Sequence, residues 1–88
     1  MAEKKVLFKS EELKDRTEVA TFLRDLAAKL EAGELALRRE AEEVRLSLPE
    51  RVILEIKVEE KAKPGKTKQS LEIEIEWGEG LTGGVELA

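Results

Sequence analysis

The chain has 88 residues, 41% of them apolar and 41% charged, with a net charge of −4 at pH 7. That length makes one small domain, and the apolar share builds one modest core rather than a disordered coil. With no cysteine and no histidine, disulfides, a thiol nucleophile, a zinc–thiolate centre and imidazole acid–base chemistry are excluded.

The acidic balance opposes a general attraction to nucleic acid or to an anionic membrane. No apolar run approaches the ~20 residues of a membrane-spanning helix. The opening Met1-Ala2-Glu3-Lys4-Lys5 lacks the apolar stretch of a signal peptide. The expected location is the cytoplasm, with no membrane partner.

Residues 4–9, K-K-V-L-F-K, are short and strand-favouring, and predict a first strand. A helix over residues 15–32 follows. Asp15 is placed as its N-cap, and Glu18 stands at the capping-box spacing. Val19, Phe22, Leu23, Leu26, Ala27 and Leu30 repeat at helical intervals and form one apolar stripe. Gly33 is the expected left-handed stop.

Period-two alternation then takes over. Leu35 and Leu37 mark one strand, and Val44, Leu46 and Leu48 a second that Pro49 stops. Val52, Leu54, Ile56 and Val58 mark a third, and Leu71, Ile73, Ile75 and Trp77 a fourth. Short connections favour antiparallel neighbours. The longest connection is read as residues 61–69, with Pro64-Gly65 at its tip.

Matching the apolar residues across each hairpin sets Leu37 opposite Val44, Leu48 opposite Val52 and Ile56 opposite Ile73. The outer face then aligns Arg38 with Glu43, Glu43 with Lys57, Lys57 with Glu72, and Arg45 with Glu55, leaving only Glu55 facing Glu74 unfavourable.

The fold class expected is α+β in the order β-α-β-β-β-β. It is an antiparallel four- to five-stranded meander with one amphipathic helix packed across one face. The first strand joins an edge that the sequence leaves open. Residues 1–77 are read as a single domain and residues 78–88 as a flexible glycine-rich tail.

Three stretches carry a family likeness. They are Arg16-x-Glu18-Val19-Ala20-x-x-Leu23-x-x-Leu26-Ala27-x-x-Leu30-x-x-Gly33, then residues 52–58, then Leu71-Glu72-Ile73-Glu74-Ile75-Glu76-Trp77. Over residues 4–77 the chain resembles the amphi-Trp domain, a short domain of bacteria and archaea named for an amphipathic strand ending in tryptophan. The resemblance implies the fold. It implies no activity and no catalytic residue.

The motifs that suggest chemistry fail on context. Gly65-Lys66-Thr67 resembles the end of a phosphate loop, but the position that needs the first glycine is Glu60 and no helix follows. Gly78, Gly80, Gly83 and Gly84 leave too few residues for the helix that a dinucleotide loop requires. Glu72, Glu74 and Glu76 project from one strand face about 6.6–6.8 Å apart. With Glu55 they make a candidate for a hard cation, opposed by Lys57 among them. The expectation is no catalytic residue, no cofactor and no metal.

Trp77, Phe8 and Phe22 are read as inward-facing, whereas Ile53, Leu7 and Ala36 fall on the outer face. The expected function is a non-enzymatic interaction or accessory module whose partner is another protein or a second copy. Its candidate surface is the helix-free sheet face of Ile53, Glu55, Lys57, Glu72, Glu74 and Glu76, or a strand edge. The alternative is a nucleic-acid-associated protein that touches phosphates through Lys61, Lys63, Lys66 and Lys68. Against it, that loop has no aromatic residue for base stacking.

Overall fold

A computed structural model describes residues 3–78. It contains one helix, α1 (Arg16–Ala32), and four strands: β1 (Glu34–Arg39), β2 (Glu42–Ser47), β3 (Ile53–Lys63) and β4 (Lys66–Glu76). The chain divides into two compact units, residues 1–48 and residues 49–88.

In the first unit, α1 begins after Asp15, whose carbonyl accepts the Val19 N–H at 3.1 Å. The Asp15 side chain makes no capping bond, so the expected capping box is not formed. Glu18 instead meets the Lys14 ammonium at 3.7 Å. Gly33 ends the helix at φ 83, ψ 2, and its N–H reaches both the Lys29 and Leu30 carbonyls at 3.1 Å. Its own carbonyl accepts the Leu48 N–H at 2.8 Å. One residue therefore closes the helix and continues the β1–β2 ladder.

That ladder is antiparallel, with Leu35 opposite Leu46, Leu37 opposite Val44 and Arg38 opposite Glu43. Alternation sends Leu35, Leu37, Val44 and Leu46 to one half-buried face. α1 packs against β1, with Leu26 and Leu30 half-buried.

The second unit is one long antiparallel hairpin of β3 and β4, eleven residues each. Pro64-Gly65 alone makes the turn, with Gly65 at φ 77. Proline fixes its own φ near −65°, and glycine takes the positive φ that a type II turn requires next. The register sets Leu54 opposite Ile75, Ile56 opposite Ile73, Val58 opposite Leu71 and Lys57 opposite Glu72.

The class is α+β, as expected, but the sheet differs in four respects. Residues 4–9 join no ladder. The segment is tied instead through Arg39, whose Nη1 donates to the Lys9 carbonyl at 3.2 Å. The strands form two two-stranded sheets, β1-β2 and β3-β4, and Leu48 does not pair with Val52. The Leu48 N–H is already spent on Gly33, and Pro49 has no N–H to give.

The outer-face pairs that needed a β2–β3 ladder, Glu43 with Lys57 and Arg45 with Glu55, are accordingly not made. Arg45 pairs with Glu43 of its own strand at 3.3 Å, and Arg38 reaches the same carboxylate at 3.6 Å. The loop expected at residues 61–69 is mostly strand, because its lysines continue the alternation to within one residue of the turn.

No side chain among the described residues is fully buried. Phe22, expected inward, is 54% exposed, while Phe8 and Trp77 are half-buried. Ile53, expected outward, is half-buried, whereas its neighbours Leu54 and Ile56 are each 60% exposed. The tail expected at residues 78–88 lies, after Gly78, outside the described residues.

Candidate functional site

The β3–β4 hairpin collects the sequence-predicted site residues. Because side chains alternate, Ile53, Glu55, Lys57, Glu59, Lys61 and Lys63 share one face of β3. Their register partners Glu76, Glu74, Glu72, Ser70, Lys68 and Lys66 share the same face of β4. The six residues of the candidate surface are therefore contiguous, as Ile53–Glu76, Glu55–Glu74 and Lys57–Glu72 pairs. The four lysines proposed for phosphate contact are contiguous too, as Lys61–Lys68 and Lys63–Lys66. Both sets lie on one face, acidic at the open end of the hairpin and basic at the turn.

Glu59 belongs to this face and was not among the residues singled out from sequence. Its Oε1 lies 2.7 Å from the Lys57 ammonium. The signal was present, since residue 59 continues the 53, 55, 57 alternation. The hydrogen bond and charge of Glu59, then the charges of Glu72 and Glu55, hold the Lys57 ammonium above the ordinary lysine range.

At the acidic end, carboxylate oxygens of Glu55, Glu74 and Glu76 lie within 4.8 Å of one another. The donors are hard oxygens that suit Ca²⁺ or Mg²⁺, but an open sheet face supplies no carbonyls to complete a shell.

The opposite face divides at its middle. Toward the open end it is apolar: Leu54, Ile56, Val58, Leu71 and Ile73 are 51–72% exposed. Toward the turn it carries Glu60, which faces Gln69 and accepts from its Nε2 at 3.5 Å, and then Ala62 opposite Thr67. β3 and β4 each pair with one strand only. Each therefore keeps one edge whose N–H and C=O groups have no ladder partner among the described residues.

The first unit holds an open groove of about 960 Å³ between residues 8–14, the first half of α1 and the end of β1. Phe8, Val19, Phe22 and Leu37 supply its apolar wall. Lys14 bridges Glu12 at 3.1 Å and Glu18 at 3.7 Å along it. The groove was not legible in the sequence, because it depends on residues 8–14 lying beside α1 instead of forming a strand. Every charged group lining it is exposed, and the Ser10 hydroxyl donates to the Glu12 carboxylate at 3.4 Å on its rim.

The chain is thus a small α+β protein whose last strand is an alternating amphipathic segment running into Trp77. It belongs to the Amphi-Trp domain family, whose model matches residues 1–87. A search of curated proteins and a search of solved structures found no match.

Proposed function

We propose that this chain is a non-enzymatic protein-interaction module that works through the β3–β4 hairpin. The observation that carries the reading is a hairpin of two eleven-residue strands, each of which pairs with only one other among the described residues. A free strand edge offers in-register backbone donors and acceptors, and another polypeptide strand is the ligand that matches them. An isolated two-stranded sheet is marginal in water, so a third strand stabilises the hairpin as it binds. The face of Ile53, Glu55, Lys57, Glu72, Glu74 and Glu76 supplies side chains that set the register of the added strand.

The double variant Ile53→Glu/Glu55→Lys tests this. It alters the face on β3 and leaves β4 intact. Partners that the wild type retains from lysate after nuclease treatment are expected to be lost from the variant. Retention of every one of them refutes the face as the contact surface.

One observation favours a second reading, in which the hairpin contacts nucleic-acid phosphates. The register gathers Lys61, Lys63, Lys66 and Lys68 on one face beside the turn. That reading requires affinity to fall steeply with salt and to be lost in Lys63→Glu/Lys66→Glu. The missing aromatic residues and the net charge of −4 place it second.

A further inference from the structure

We infer that the apolar face of the β3–β4 hairpin is a homodimer interface. The same face of a second copy of this chain packs on it, with the strands of the two copies running in opposite directions. This goes beyond the module reading, which uses the charged face and the strand edges, and it leaves both of those open.

The face consists of Leu54, Ile56 and Val58 on β3 with Leu71, Ile73 and Ile75 on β4. Alternation puts all six on one side. Ile75 is half-buried, and the other five are 51–72% exposed. About 100 Å² stays bare on each of those five, so the patch is about 500 Å², a size that marks an interaction site. The described residues of the second unit form β3 and β4 alone, with no helix and no third strand. A sheet buries its apolar face against a second layer, and a lone hairpin is marginal in water.

Three features select a second copy as that layer. The patch carries no charge. On its side the first charged residue toward the turn is Glu60, which accepts from Gln69 Nε2 at 3.5 Å. An uncharged flat face has no complement in an acidic or basic partner; it matches another apolar sheet face stacked about 10 Å away. Area is the second feature. Two copies of the patch supply about 1,000 Å², the lower bound for a specific interface. Symmetry is the third. The central pair Ile56–Ile73 is flanked by Leu54–Ile75 on one side and Val58–Leu71 on the other. A two-fold axis through the centre therefore lays Leu54 on Val58 of the partner subunit and Ile75 on Leu71 of the partner subunit. Such a contact is isologous and stops at two copies.

Charge fixes the direction. Strands running the same way bring both Glu60 carboxylates, and both sets of turn lysines, to one end. Opposed strands place the two Glu60 residues about 27 Å apart, well beyond the ~8 Å screening length at physiological salt.

The test is sedimentation equilibrium on the full chain, with a distance measurement for direction. The wild type is expected to dimerise with a dissociation constant of about micromolar order, as suits an interface near the lower size limit. Added salt is expected not to weaken it. Ile56→Thr/Ile73→Thr keeps β-branched side chains that suit a strand but removes the apolar centre. It is expected to weaken the dimer at least about tenfold, with circular dichroism checking that its strands persist. Ala62→Cys, in an otherwise wild-type chain, introduces a single cysteine that takes a spin label beyond the patch, and it carries the test if the double variant unfolds. Opposed strands put the two labels about 40 Å apart, whereas strands running the same way put them within about 20 Å.

A wild type that stays monomeric up to about millimolar protein overturns the inference and leaves the face to another occupant. So does a folded Ile56→Thr/Ile73→Thr variant that dimerises as tightly, or a dimer that dissociates as salt rises. Labels within about 20 Å overturn the opposed arrangement. Partner loss in Ile53→Glu/Glu55→Lys bears only on the module reading, because both residues lie on the other face.

Discussion

Replacing Gly33 with alanine is expected to destabilise the first unit by about 1 kcal/mol, through backbone conformation alone. Gly33 holds φ 83, ψ 2. An L-residue in the left-handed region costs ~1–2 kcal/mol because its Cβ crowds the following carbonyl. Alanine's narrower unfolded ensemble returns ~0.4–1 kcal/mol. No tertiary clash adds to this, because a Cβ at residue 33 meets only the Leu48 carbonyl oxygen at 3.6 Å, an ordinary contact.

The net loss lowers the melting temperature by about 4–8 °C per kcal/mol in a domain of this size. Gly65→Ala provides an internal comparison: it has φ 77 and no heavy atom within 4 Å of the added Cβ. The two alanine variants should therefore lose similar stability. Gly33→Asn should lose less, since asparagine tolerates the left-handed region better. Urea unfolding followed by circular dichroism measures all three. An unchanged midpoint for Gly33→Ala, a loss beyond about 3 kcal/mol, or an asparagine variant no better than alanine would refute the conformational account.

Two further outcomes follow from local geometry. Glu40 sits at φ 54 in the two-residue turn between β1 and β2, a place where glycine is easier to accommodate. Glu40→Gly is expected to raise stability by about 0.5–1 kcal/mol. A melting temperature that falls would show that the glutamate side chain outweighs the backbone term.

The Lys14 hydrogen bond and charge, with smaller help from Ser10 and Arg39, hold the Glu12 carboxyl below its ordinary range. A depressed folded pKa means that its stabilising share is present above the unfolded value and is lost as pH falls through the folded one. In an NMR titration Lys14→Gln should move the Glu12 midpoint upward. An unmoved midpoint would remove Lys14 as the cause.

Much of the fold was legible because its determinants are close in sequence. The helical stripe and Gly33 defined α1 to within a residue of Arg16–Ala32. Apolar alternation on the two sides of a turn was enough to place Leu37 opposite Val44 and Ile56 opposite Ile73. The same arithmetic put Lys57 opposite Glu72 and Glu55 opposite Glu74, but the neighbours it gave them on β2, Glu43 and Arg45, are not paired with them.

Residues 61–69 were misread because four lysines near Pro64-Gly65 resemble a solvated loop. Ala62 and Thr67 between them are what mark two alternating strands, and Lys57 to Glu72 is too short a span to reveal that on its own. The capping box failed for an equally local reason. Lys14 is close enough to take the Glu18 carboxylate that the motif assigned to the backbone.

Sequence alone determined the helix, the central stretches of β1 to β4, and how each hairpin registers. These follow from periodicity and from turns a few residues long. The tertiary structure decided which strands meet at all. Residues 4–9 have strand composition yet no ladder, and β2 and β3 are neighbours in sequence yet pair with different strands. Pairing between hairpins is set by where each backbone N–H and C=O is already committed, as Leu48 is to Gly33. Those commitments are made by atoms far apart along the chain, and no local pattern records them.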